Sequence, residues 1–281
     1  MTYFKEKDHK RQKLGSMSFS DKAKALLFGV SFGKPKANKL KPNHYFMTQI
    51  KGYQNHTLNL WRFAPERKKQ ALFFHGYIGE KTDLLEEAQE YEKLGYGVTL
   101  VDFFGSGESN GDFTTIGFYE SVDVHAAIKM IRTENPKAHI ELYGSSMGAA
   151  AIIKAEHNRP LKAQRFIFEL PFASMEGTVC NRFKLLGAPC FPGSTVLTWW
   201  GGVIHGFDAL NYKPSELAKT ITTPTIILAA DKDQRAPLKD SQEILKNINA
   251  PKKLIVFKGA RHQSLWRFDT KKWKQSIQSR L

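Results

Sequence analysis

The chain has 281 residues, 41% of them apolar and 25% charged, with a formal net charge of +15 at pH 7. That length and apolar content can bury one large core, which makes a single domain the default, and no run approaches the roughly 20 apolar residues that span a bilayer. Cys180 and Cys190 form neither a CxxC pair nor a spacing that holds zinc or an iron–sulfur cluster, so no metal is expected and a reducing compartment is.

The charge sits at the ends: residues 1–42 carry +8, residues 43–251 carry −1 and residues 252–281 carry +8. Residues 1–45 read as a basic N-terminal extension, with Pro35 and Pro42 preventing a continuous helix. Within it, the run from Ala25 to Phe32 follows many lysines, like the apolar part of a signal peptide. It is short, and Gly33-Lys34-Pro35-Lys36 gives no small-x-small cleavage pattern, so a cytoplasmic location is expected. Basic ends suit peripheral contact with an anionic membrane, where each Lys or Arg contributes about 1 kcal/mol; the alternative is a solvated tail. No nucleic-acid motif accompanies the charge.

From residue 46 to 281 the chain reads as one α/β domain. Residues 56–63 alternate polar and apolar, predicting a half-buried strand. Short apolar runs follow at 71–74, 97–101, 140–143, 166–168, 225–229 and 254–257. Amphipathic stretches between them predict helices near 84–94, 119–132, 147–157 and 238–248, and from 264 towards the end. This alternation implies a mostly parallel sheet with helices on both faces. The stretch from Ala173 to Tyr212, rich in Gly, Trp and Phe, breaks the rhythm and reads as an inserted lid.

Gly144-Ser145-Ser146-Met147-Gly148 lies between the run at 140–143 and the helix predicted from Met147: strand, sharp turn, helix, the layout of a nucleophile elbow. Side chains two positions either side of the central residue would collide across such a bend. Only Ser146 has glycine at both places, since Ser145 has Tyr143 and Met147 there.

A serine hydroxyl needs a base to take its proton and a carboxylate to orient that base. His262, in Gly259-Ala260-Arg261-His262, directly follows the last strand. The acid lies in the loop that opens at Asp231; Asp233 is preferred because Asp231 is still close to the strand end. Backbone N–H groups of Met147, at the helix start, and Tyr77, in His75-Gly76-Tyr77, are candidates for the oxyanion hole, with His75 read as holding that loop.

Taken in order, His75-Gly76-Tyr77, the segment Asp102-Phe103-Phe104-Gly105-Ser106-Gly107-Glu108-Ser109, the elbow, and Asp233 with His262 resemble the α/β-hydrolase superfamily. The continuation from Gly111 to Glu120 looks like its serine aminopeptidase-like and monoacylglycerol-lipase-like branch. Phe104 stands where the family's pattern usually has arginine. The resemblance covers the chain from about residue 53 and implies an eight-stranded sheet, a Ser-His-Asp triad, and no metal or organic cofactor.

Three readings follow. The first is a hydrolase that cleaves a carboxylic ester, with the aromatic lid favouring a small-molecule substrate bearing an apolar acyl group. The second is an aminopeptidase or amidase, which needs an acidic group such as Glu169 or Glu176 to hold the substrate amine. The third is a non-catalytic, membrane-associated binding protein on the same fold.

Overall fold

The computed structural model describes residues 2–5, 30–34 and 44–279. Most of the basic extension, and most of the apolar run at 25–32, lies outside the described residues. Strands β1 (Thr2–Lys5) and β2 (Val30–Gly33) pair in parallel as a small separate sheet.

The main sheet has eight strands: β3 (Phe46–Lys51), β4 (Thr57–Phe63), β5 (Lys69–Phe74), β6 (Gly97–Val101), β7 (His139–Ser145), β8 (Arg165–Glu169), β9 (Thr225–Ala230) and β10 (Lys252–Phe257). Their spatial order is β10-β9-β8-β7-β5-β6-β4-β3, and only the pairings of β4 with β3 and β6 are antiparallel. Parallel strands in a sheet covered on both faces are buried on both faces, which explains their near-continuous apolar runs. Leu72, Phe74, Leu142 and Phe168 enter one core with Ile128 of helix α2 and Ile152 of α3, while Phe73, Tyr143, Ile167 and Leu228 enter the other with Tyr91 of α1 and Trp273 of α9.

Those helices are α1 (Leu85–Lys93), α2 (Glu120–Glu134), α3 (Met147–Asn158), α4 (Met175–Leu185), α5 (Gly193–His205), α6 (Pro214–Leu217), α7 (Leu238–Asn247), α8 (Leu265–Phe268) and α9 (Thr270–Ile277). No helix among the described residues is long and apolar enough to cross a membrane.

One strand was not predicted, and one strand expectation needs correction. The edge strand β3 has no apolar run and shows no sequence signal, its Phe46 and Met47 being exposed. Strand β4 is buried on both faces instead of half-buried, because its polar residues are satisfied inside: Asn59 bonds Ser109, Glu108 and Gln49, and Arg62 reaches Glu134 at 2.9 Å.

The segment 173–212 folds into α4 and α5. Ser174 caps α4 by accepting the Gly177 N–H at 3.1 Å, and Gly193 opens α5 against the Phe183 ring, where a Cβ would come within 2.5 Å. A disulfide joins Cys180 to Cys190, with the Cα atoms 4.8 Å apart, so the pair gives no reason to read a reducing compartment. Helix α5 contains no charged residue, and Val196, Trp199 and Val203, spaced to share one helix face, are each more than half exposed.

A buried polar scaffold supports the loops at the sheet's C-terminal edge. Asp102 accepts the N–H groups of Lys81 at 2.7 Å and Glu108 at 2.9 Å, and the fully buried Lys81 ammonium at 2.6 Å. The same ammonium reaches Glu108 at 2.8 Å. Burial alone would push the Lys81 pKa down; the two carboxylates outweigh it and hold it above the ordinary lysine value. Asp123 of α2 accepts the N–H groups of Tyr53 and Phe104, at 2.8 and 2.9 Å. Burial pushes its pKa up to about 7 despite both donors.

Behind the elbow, Glu169 at the end of β8 accepts the Tyr143 hydroxyl at 2.6 Å, and that hydroxyl accepts the Trp273 indole N–H at 3.1 Å. Glu87 of α1 accepts the Ser264 hydroxyl at 2.7 Å, while its other oxygen is buried without a hydrogen-bond partner. Burial raises both carboxyls, and each unfavourably feels a neighbouring acid: Glu87 acts on Glu169, and Glu86 on Glu87.

Two outcomes follow. Lys81→Met leaves Asp102 buried without its cation and should cost about 3–5 kcal/mol in urea unfolding; a cost below 1 kcal/mol would show that the pair does not brace the loop. Asp123, Glu87 and Glu169 all bind protons more tightly folded than unfolded. The stability they contribute is complete below the ordinary carboxylate range and is lost as pH rises through the raised values, about 7 for Asp123. Thermal melts should therefore fall from pH 5 to pH 8.5, and less steeply in Glu169→Gln; an unchanged slope in that variant would contradict the assignment.

Candidate active site

Because β5, β7, β8, β9 and β10 run parallel, the loops that follow them gather along one edge of the sheet. Tyr77 follows β5, Ser146 follows β7, Asp233 follows β9 and His262 follows β10.

Ser146 is the single residue between β7 and α3, with φ 50° and ψ −104°, a left-handed conformation that costs of order 1–3 kcal/mol outside glycine. The turn is tight enough that a Cβ on Gly144 would lie 2.5 Å from the Ala149 nitrogen, and one on Gly148 would lie 2.1 Å from the Phe74 carbonyl. The surroundings hold the strain: the Ser146 N–H donates to the Glu169 carbonyl at 2.7 Å, and the Ser146 carbonyl accepts from Ala150 at 3.2 Å. Ser145 is the last residue of β7.

Asp233 and His262 meet directly, with His262 Nδ1 2.6 Å from Asp233 Oδ2. The other Asp233 oxygen accepts the N–H groups of Arg235 at 2.8 Å and Ala236 at 2.9 Å, and its side chain is fully buried. A carboxylate fixed this way orients the ring and leaves Nε2 pointing to the opposite side. Asp231 is exposed and accepts the Gly259 N–H at 2.6 Å, tying the acid loop to the histidine loop.

Met147 is the first residue of α3, where backbone N–H groups have no acceptor within the helix and the helix dipole is positive. Gly76 packs against the elbow: a Cβ there would stand 3.6 Å from the Ser146 Cβ. His75 is buried, with Nδ1 2.8 Å from the Gly76 carbonyl and Nε2 accepting the Phe103 N–H at 3.3 Å, so its ring is spent on shaping the loop.

Sequence reasoning missed three contributors. Lys81 supplies Asp102 with a buried cation, and nothing in its immediate sequence marks it as buried. Arg182, on α4, lies with its guanidinium carbon 4.4 Å from the centre of the Tyr77 ring. Asn181, beside it, donates to the Arg235 carbonyl at 3.2 Å and so fastens α4 to the acid loop. A cavity of about 400 Å³ opens between α4 and α7, lined by Ser174, Asn181, Lys184, Lys213 and Lys239 among others; Ser146, Asp233 and His262 are not in its wall.

Comparison with known proteins agrees with the fold. The family model described as serine aminopeptidase, S33, matches residues 65–193. The uncharacterized protein YqkD of Bacillus subtilis is 22% identical over 236 residues, covering 83% of this chain and 75% of YqkD. Protein bem46 of Schizosaccharomyces pombe is 25% identical over 179 residues, 62% of this chain and 54% of bem46, so the match spans about half of that relative. Among solved structures, the Pyrococcus furiosus esterase Pf2001 superposes with a TM-score of 0.71 at 22% identity, covering 87% of this chain and 96% of its own. An esterase from Exiguobacterium antarcticum gives 0.62 at 17% identity, covering 83% and 98%. The sheet order and the strained strand-to-helix turn are those of the α/β-hydrolase fold that these solved structures share, and over residues 65–193 the chain is similar to the serine aminopeptidase-like family.

Proposed function

We propose that the protein is a serine hydrolase that cleaves a carboxylic ester through an acyl-enzyme. The observation that carries this reading is the 2.6 Å bond between His262 and Asp233 on the same sheet edge as the strained Ser146. In the mechanism, His262 Nε2 takes the Ser146 proton as Oγ attacks the acyl carbonyl. The N–H groups of Met147 and Tyr77 stabilise the resulting oxyanion; one such donor is worth about 10²–10³ in rate. His262 then protonates the leaving alcohol, and water, deprotonated by the same ring, releases the acid.

The α4–α5 segment supports a lid role, because it is tied to the acid loop through Asn181 and reaches the oxyanion loop through Arg182. Its aromatic content supports an apolar acyl group on the substrate. The aminopeptidase reading needs a carboxylate to hold the substrate amine. Glu169 is buried behind the elbow on Tyr143, and Glu176 accepts the Thr195 hydroxyl at 2.5 Å, so neither favours it.

A fluorophosphonate probe should label wild type and Ser145→Ala, and leave Ser146→Ala unlabelled. Equal labelling of wild type and Ser146→Ala would overturn the nucleophile. In a substrate panel, kcat/KM for acyl esters should exceed that for the matching amino-acid amides by at least about 10²; a preference for the amides would sink the ester reading.

A further inference from the structure

Beside Tyr77 the site is positively charged, and no acidic side chain balances it. Arg182 comes from the last turn of α4 and stacks on the Tyr77 ring; Arg235 comes from the acid loop, two residues beyond Asp233. Burial pushes the Arg182 pKa down, the charge of Arg235 adds to that effect, and Tyr77 opposes them. Among the described residues, neither guanidinium belongs to any ion pair or donates a side-chain hydrogen bond to the protein. The nearby carboxylates are committed: Asp233 to His262 and two backbone N–H groups, and Glu176 to Thr195.

Two guanidiniums brought together without a counter-ion repel each other, and a desolvated one is costly unless something charged completes it. The fold nevertheless places both beside Tyr77, Arg182 through the Tyr77 ring and α4, and Arg235 through its backbone, whose carbonyl Asn181, the neighbour of Arg182, holds. A planar guanidinium is also the side chain best matched to a carboxylate or phosphate, which it can grip with two parallel N–H bonds.

We propose that Arg182 and Arg235 together bind an anionic group, a carboxylate or a phosphate, carried by the substrate beyond its scissile ester. This rests on the serine-hydrolase reading for the identity of the ester. It makes the substrate class an anionic acyl ester, with the apolar part held under α4 and α5 and the anion beside the oxyanion loop. It also accounts for the site's poor match to an aminopeptidase, whose substrate brings a positive amine to the same place.

Two measurements test it, one of them independent of turnover. In calorimetric titrations of the full chain, glutarate and inorganic phosphate serve as probes of the two anion types. At least one should bind wild type, and Arg182→Gln and Arg235→Gln should each weaken that probe by about tenfold or more. Absence of binding by both probes, or unchanged binding in both variants, would overturn the proposal. Arg235 is exposed, so its variant keeps the test valid if Arg182→Gln folds poorly.

In kinetics, wild type should prefer p-nitrophenyl hemiglutarate or p-nitrophenyl 4-phosphonobutyrate over p-nitrophenyl valerate in kcat/KM. That ratio should fall about tenfold in Arg235→Gln, mainly through KM. Equal loss on charged and neutral esters would contradict the assignment. If no ester turns over while the anion still binds through both arginines, the hydrolase reading falls and the anion site stands.

Discussion

The rest of the site depends on one strained turn. Ser146 occupies a left-handed backbone conformation that a serine adopts only when its surroundings enforce it. Here β7 and α3 enforce it from either side, and the Glu169 carbonyl holds the Ser146 N–H from behind. The turn leaves no room for side chains at Gly144 or Gly148, so two glycines are a geometric requirement. It places the start of α3 directly after the serine, so Ser146 and the helix N-terminus come as one unit.

Around this turn the parallel topology supplies the rest. Each remaining group sits on a loop after a parallel strand, and each loop is tied to another: Asp231 to Gly259, Asp233 to His262, Asn181 to Arg235. The loops are in turn braced from below by buried ionisable groups. Asp102 with Lys81, Asp123 with its two N–H donors, and the Glu87 and Glu169 carboxyls place ionisable groups where an apolar core would be more stable. Asp102 and Asp123 hold irregular segments whose backbone N–H groups have no sheet or helix to satisfy them.

What was legible in the sequence follows the same logic. The central strands could be read because burial on both faces demands continuous apolar runs, and the elbow because glycine spacing is fixed by the turn. Strand β3 was not legible: an edge strand with exposed Phe46 and Met47 carries no such pattern. The interior fate of Asn59 and Arg62 was hidden because their partners, Ser109 and Glu134, lie 50 and 72 residues away. Lys81 and Arg182 were missed for the same reason, since a lysine or arginine in the sequence looks solvated until the fold surrounds it. The pairing of Cys180 with Cys190 depended on the turn between α4 and α5, which no local motif announces. That turn also sends Trp199 outward, so aromatic content alone did not reveal which rings face the substrate.

Segment 173–212 is where chemistry and selectivity separate. In the proposed reaction the sheet edge supplies the acyl-transfer groups, whereas α4 brings Arg182 to the Tyr77 ring and α5 presents an uncharged, outward-facing apolar stripe. The central claim, that Ser146 carries the acyl group, is tested most directly by acid-quenching the enzyme during turnover of p-nitrophenyl butyrate and mapping the added mass. The account predicts a single butyryl group on the peptide that spans the elbow, located on Ser146 and lost in His262→Ala. An adduct on Ser145 or on any other residue, or turnover with no acyl-enzyme in any state of the reaction, would contradict it.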